Sequence, residues 1–176
     1  MSQFHGQMWI KILTFHSEIS IRSQWTKDML GASATLKGLK AEGGTALFKT
    51  VMHSVQELRG CSGHKHLLLF TDGKDTDGGP DVGSLVSICK KEGIVISAIG
   101  LRSDDLDVVT LRRLAGETGG TYAEADGPQQ LLEQFRQAGA RVRPHFYRLV
   151  LRPTGRTPGG LEVRIGGNNS LLLKSP

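Results

Sequence analysis

The sequence predicts an α/β fold: a doubly wound, mostly parallel sheet with a small C-terminal β extension. Three observations carry that prediction. Apolar runs of strand length alternate with segments whose apolar residues recur at helical spacing. The connections between them are short and marked by glycine, of which the 176 residues contain 23, enough to punctuate every turn. Past Pro144 the helical spacing stops and only strand-like runs remain.

The first strand is expected from Met8 to Leu13. His16-Ser17-Glu18 turns it into Ile19-Ser20-Ile21-Arg22, whose apolar-polar alternation marks a half-exposed strand, so the pair reads as a hairpin at a sheet edge. Thr26-Lys27-Asp28 caps a helix carrying Met29, Ala32, Leu36 and Leu39 on one face, which stops at Gly43-Gly44. A second helix follows, with Leu47, Val51, Val55 and Leu58 at helical spacing until Arg59-Gly60. His66-Leu67-Leu68-Leu69-Phe70-Thr71 is a continuous apolar run, expected to be a strand buried on both faces. After the Asp- and Gly-rich loop from Asp72 to Gly83, Val82, Leu85 and Cys89 mark a helix stopped by Gly93, and Ile94 to Gly100 a second apolar strand. Val108, Leu111, Leu114 and Ala115 place another helix, Gly119 to Tyr122 a short last strand, and Pro128 opens a helix with Leu131, Leu132 and Phe135. The extension holds strands at 145–151, 161–165 and 170–173, giving two domains, 1–143 and 144–176.

No apolar stretch approaches the roughly 20 residues that span a bilayer, and the start lacks signal-peptide regions, so a soluble, cytoplasmic chain without a membrane partner is expected. Cys61 and Cys89 lack metal-type spacing and disulfide density, and read as reduced thiols. The net charge of +5 is uneven. Residues 136–176 carry eight basic side chains against Glu162 alone, or +7, leaving −2 for the rest. Such a tail reads either as a solvated basic face or as a surface for phosphate or an acidic protein, and without aromatic interleaving or a nucleic-acid motif no nucleic-acid partner is expected.

The right-handed crossover rule brings the carboxyl ends of parallel strands to one rim, here His16-Ser17, Asp72 to Asp77 and Gly100 to Asp105. Asp72, Asp75 and Asp77 offer hard oxygen ligands in one loop, which reads either as a divalent metal site or as a strand-end turn with solvated charges. Thr45 follows two glycines at a helix start, where its hydroxyl either caps the helix or ligates metal. His64 and His66 precede the strand whose far end carries Asp72, about 20 Å away at ~3.3 Å per residue, so they cannot share its ion and read as surface histidines. His53 is expected to be exposed. No nucleophile elbow, His-Glu-x-x-His or phosphate loop occurs, and Ser17 beside His16 makes no triad by adjacency.

Ile12-Leu13-Thr14-Phe15, Gly43-Gly44-Thr45-Ala46-Leu47, Leu68-Leu69-Phe70-Thr71-Asp72-Gly73, Gly93 to Gly100 and Leu114 to Tyr122 together resemble successive blocks of a von Willebrand factor type A domain, over roughly residues 8–140. The segments Tyr147 to Thr154 and Leu161 to Ile165 are similar to the β extension of bacterial proteins bearing such domains. The resemblance implies protein binding and a metal-ion-dependent adhesion site, built in the family from an Asp-x-Ser-x-Ser strand end, a Thr and a later Asp. Thr45 and Asp72 match the last two positions, while Asp-x-Ser-x-Ser occurs nowhere, so the domain looks truncated before its first, central strand. A lost central strand leaves two rows of backbone groups unpaired, at roughly 1–3 kcal/mol for each buried one. The gap is expected to be filled by a tail strand or by strand exchange with a partner, or closed by the flanking strands meeting.

The function these residues imply is a non-enzymatic protein-interaction module of adhesion type, with a protein partner and a homo-oligomer formed by strand exchange or edge pairing. Asp72, Thr45 and Asp75 are its candidate metal residues, for magnesium or manganese, with zinc or calcium as further options. The alternatives are a metal-dependent hydrolase of phosphate or carboxylic esters using the Asp72 rim, and a structural fragment of a longer protein.

Overall fold

A computed structural model describes residues 8–35, 44–127, 129–131, 133, 134, 137, 161–165 and 169–173. Two compact units divide the chain, Met1–Pro144 and His145–Pro176. In the first, β1 (Ile10–Phe15) and β2 (Ile19–Thr26) form an antiparallel hairpin. Helices α1 (Met29–Ala34) and α2 (Leu47–Leu58) follow. Then β3 (Lys65–Thr71), α3 (Val82–Glu92), β4 (Ile94–Leu101), α4 (Val108–Glu117) and β5 (Tyr122–Ala125) wind a parallel sheet in the order β3-β4-β5. The described residues between 129 and 137 are helical. In the second unit β6 (Leu161–Ile165) and β7 (Asn169–Leu173) pair antiparallel. The strand expected at 145–151 and the turns of helix expected at Leu36, Leu39, Leu132 and Phe135 lie outside the described residues.

Local chemistry sets most of these boundaries. The Asp28 carboxylate accepts the Gly31 N–H at 2.9 Å and starts α1. Asp81 caps α3 by accepting from Ser84 N–H at 3.1 Å, and Gly93 ends it in the left-handed conformation, φ 66°, where a Cβ would be strained. Asp107 caps α4 through Thr110 N–H. At the other end of α4, buried Thr118 donates to Leu114 O at 2.7 Å and accepts Ile96 N–H at 2.9 Å, joining helix end to strand. The core lies where α2, α3 and α4 cover one sheet face: Leu47, Val51, Val55, Leu85, Cys89, Ile94, Ile96, Leu111 and Leu114 are all essentially inaccessible. Burial raises the Cys89 thiol pKa, and both cysteines are free.

Three expectations are corrected. The strand expected to be buried on both faces is only half-buried: in β3 Leu69 and Thr71 are buried while His66, Leu67 and Leu68 keep partial exposure. The reason is its position, because β3 has β4 on one side and no strand on the other among the described residues. The flanking strands also do not meet: among the described residues β1 pairs only with β2, in a sheet separate from that of β3. Finally, His53 and His66 are not simply exposed. His53 lies 3.6 Å from Glu57, and the His66 Nε2 is buried without a hydrogen-bond partner among the described residues, so burial lowers its pKa.

Candidate functional site

The carboxyl rim is assembled by four segments that meet at the start of α2. The residue before that helix, Ala46, has no side-chain cap to offer, and Thr45 does not supply one. Asp75 does so from the neighbouring loop: one carboxylate oxygen accepts Phe48 N–H at 3.0 Å, the other Gly78 N–H at 2.7 Å. Thr45 and Thr76 lock the same loop to the helix, through Thr45 N–H to Thr76 Oγ1 at 2.8 Å and Thr76 N–H to Thr45 O at 2.9 Å. The hairpin turn joins them, because His16 O accepts Ala46 N–H at 2.7 Å and Ser17 Oγ accepts Gly44 N–H at 3.2 Å. His16 is otherwise occupied within its own turn, its Nδ1 accepting Glu18 N–H.

At the end of β3 the turn is made by Thr71, whose hydroxyl accepts Gly73 N–H at 3.2 Å. Gly73 lies against Thr45: a Cβ there would come within 3.0 Å of Thr45 Oγ1. Asp72 projects from this turn, exposed, and its backbone oxygen accepts the Ser103 hydroxyl. Its carboxylate makes no hydrogen bond or ion pair among the described residues. Two nearby acids are partnered, Asp77 by Lys49 and Asp105 by Lys74 at 3.6 Å.

Of the three residues singled out from sequence, Asp72 and Thr45 thus share the rim with a free carboxylate and a hydroxyl, while Asp75 holds the loop against α2. No group of three or more His, Cys, Asp or Glu able to hold a metal ion occurs among the described residues. Sequence reading missed Ser103, Thr76 and the capping role of Asp75. The Asp75-Thr76-Asp77-Gly78 turn signal was present for the last of these, but not the helix it caps, 27 residues away.

Below the rim, α2 is tied to the hairpin by Glu57. Its carboxylate takes the Lys11 ammonium at 2.7 Å, with the Lys11 side chain only 5% exposed. The Lys11 hydrogen bond, ahead of an opposing desolvation, holds the Glu57 carboxyl below its ordinary range. Among the described residues no helix is long and apolar enough to cross a membrane.

The fold has many solved counterparts. The chain is similar to a von Willebrand factor type A protein from Catenulispora acidiphila, with TM-score 0.63, 23% identity, and 73% of this chain but 32% of that one covered. It thus spans about a third of that protein's length. A conserved hypothetical protein BatB from Bacteroides thetaiotaomicron is matched with TM-score 0.61 and 16% identity over 76% of this chain and 78% of the other. Proximal thread matrix protein 1 from the mussel byssus, solved with a zinc-occupied MIDAS motif, gives TM-score 0.55 at 22% identity, covering 70% of this chain and 33% of that one. At these identities the likeness is one of fold. No curated protein matches the sequence. The family model for the von Willebrand factor type A domain, however, matches residues 10–138, most of the chain. With its wound α/β core and rim, the chain belongs to the von Willebrand factor type A domain family, a family of protein-interaction and adhesion modules.

Proposed function

We propose that the chain is a protein-interaction module of adhesion type whose contact rim centres on Asp72 and is assisted by a divalent cation. The observation that supports this reading most is the Asp72 carboxylate. It stands exposed on the carboxyl rim, without a partner among the described residues; the Ser103 hydroxyl is held on the Asp72 backbone oxygen, and the Thr45 hydroxyl lies against the neighbouring Gly73. Backbone hydrogen bonds from Thr76 to Thr45 and from Ala46 to His16 tie the Thr45 segment to its neighbours, which supports a hydroxyl positioned before binding. Asp72 and Thr45 are the proposed cation ligands, and Asp75 holds the loop. Two protein ligands suit magnesium or manganese, which keep several waters that a carboxylate of a protein partner then replaces. The byssus protein with zinc at its own motif lends support from the same fold.

Calorimetric titration of the purified chain with manganese and magnesium tests this reading. Wild type should bind one ion weakly, and Asp72→Ala should abolish binding while leaving the circular dichroism spectrum unchanged. Absence of binding in wild type, or equal binding by Asp72→Ala, refutes it.

A further inference from the structure

We propose that Ser103 is a positioning residue for the Asp72 cation site, its hydroxyl holding the peptide unit on which the Asp72 carboxylate is mounted; this role rests on the cation-assisted reading of the rim and deepens it. The peptide that joins Asp72 to Gly73 is held at both polar ends. Its carbonyl oxygen accepts the Ser103 hydroxyl, and its N–H donates to Thr71 Oγ1 at 3.2 Å. Gly73 itself lies against Thr45, where an added Cβ would come within 3.0 Å of Oγ1. One peptide thus brings together Thr71 from β3, Ser103 from the loop after β4 and Thr45 from the start of α2.

Parallel register explains how Ser103 reaches this peptide. Thr71 pairs with Gly100, so Asp72 leaves β3 beside the residues that follow Gly100. Immediately before the serine, Arg102 N–H donates to Ala125 O at 2.9 Å and ties the chain to β5, while Ser103 O accepts Leu106 N–H at 3.4 Å. The serine is therefore anchored by backbone bonds of its own, and its side chain has one hydrogen bond among the described residues, to Asp72 O. Lys74 and Asp105 form a second link between the same two loops, at 3.6 Å, but both side chains are more than half exposed and such a pair contributes little.

With two protein ligands for the cation, the freedom lost by each on binding weighs heavily. The direction of the Asp72 side chain is set first by its backbone, and the planar 72–73 peptide fixes the ψ angle of Asp72 when that plane is held. Without the Ser103 hydroxyl the plane is held only through its N–H. Asp72 and Ser103 are both exposed, so water takes over the freed carbonyl, and the loss falls on the order of the site rather than on the stability of the fold. The carboxylate itself, unpartnered among the described residues, keeps its rotamers for the ion.

The test compares wild type with Ser103→Ala and Ser103→Thr. Ser87→Ala is the control, because Ser87 likewise donates to a backbone oxygen, Gly83 O at 2.8 Å, inside α3. Manganese affinity is read from the electron paramagnetic resonance signal of the free ion, and the order of the Gly73 amide from nitrogen relaxation of the metal-free chain. Ser103→Ala should weaken manganese binding about tenfold, as loss of an outer partner of a metal ligand does, while Ser103→Thr, which keeps the hydroxyl, stays within about threefold of wild type and Ser87→Ala matches it. In metal-free Ser103→Ala the Gly73 order parameter should fall below the ~0.85 of rigid backbone. The urea midpoint should move by less than ~0.2 M. Equal affinity of wild type and Ser103→Ala, or no rescue by Ser103→Thr, overturns the positioning role and leaves the cation reading standing. An unchanged Gly73 order parameter, or a midpoint lowered by about 1 M, also overturns it, the latter by making Ser103 a residue of the fold. No manganese binding by wild type is the separate outcome that removes the cation reading, and this role with it.

Discussion

Replacing Asp75 by alanine tests whether this loop carboxylate is part of the scaffold. The change removes the acceptor of Phe48 N–H at 3.0 Å and of Gly78 N–H at 2.7 Å, and α2 has no other side-chain cap. Loss of a helix N-cap costs about 0.5–2 kcal/mol, and loss of a negative charge near a helix N-terminus adds about 0.3–1 kcal/mol. The Phe48 N–H is part-buried, so water replaces the lost bond incompletely. The first turn of α2 also carries Leu47, with Val51 one turn on, both 0% exposed, so fraying there opens the core. A total near 2 kcal/mol is expected, and roughly half of it for Asp75→Asn, which keeps one acceptor oxygen. Urea titration followed by tryptophan fluorescence reads the change, since Trp25 packs against the core. At a slope of about 1–3 kcal/mol/M, typical of small domains, 2 kcal/mol lowers the midpoint by about 1 M. An Asp75→Ala midpoint within ~0.2 M of wild type would show that the cap contributes nothing and refute the reasoning.

Other outcomes follow from single contacts. Glu57 has its pKa lowered from 4.5, chiefly by Lys11, so its contribution is present above that value and lost as pH falls through the lower folded value. Stability curves of wild type and Glu57→Gln should therefore differ at neutral pH and converge in acid, by about 1–2 kcal/mol after discounting for the quarter-exposed carboxylate; parallel curves would remove the pair from the account. Gly120→Ala places a Cβ 2.6 Å from the Ile96 carbonyl carbon and closer still to its oxygen, both backbone atoms, so a loss of about 3 kcal/mol or more is expected by denaturant titration. Leu47→Ala, at a site with 0% exposure, should cost about 2–5 kcal/mol in the same assay, and under ~1 kcal/mol would mean the core collapses onto the site. The Tyr122 hydroxyl is pushed up to about 12, first by burial and then by the Glu124 carboxylate, so ultraviolet titration should show one tyrosine resisting ionisation well above pH 10, and Tyr122→Phe should abolish that late phase.

Helix positions were legible wherever the signal was local. The spacing of Leu47, Val51, Val55 and Leu58 places α2 and its buried face, and all four are core residues. The stop at Gly93 was equally readable from the residue itself. The chain reversal at His16-Ser17-Glu18 foretold the hairpin, though its first strand sits two residues later than expected, at Ile10–Phe15, and its second runs four residues further, to Thr26, because pairing extends regular structure past the apolar pattern. Less legible was the rim. Asp72 and Thr45 could be nominated from motif and position, whereas the role of Asp75 depends on a helix far off in sequence.

What the sequence by itself determined is the α/β class, the winding order, the apolar faces of α2, α3 and α4, and the placing of Asp72 just beyond a strand. Each rests on periodicity or on one residue's conformational preference, which neighbouring residues alone enforce. Only the tertiary structure decided that β3 is half-buried, that Asp75 caps α2, and that Lys11 is sunk against Glu57. Burial and pairing depend on what lies alongside a segment in space, and an apolar run such as Leu67-Leu68-Leu69 is written the same way whether one neighbour strand or two stand beside it.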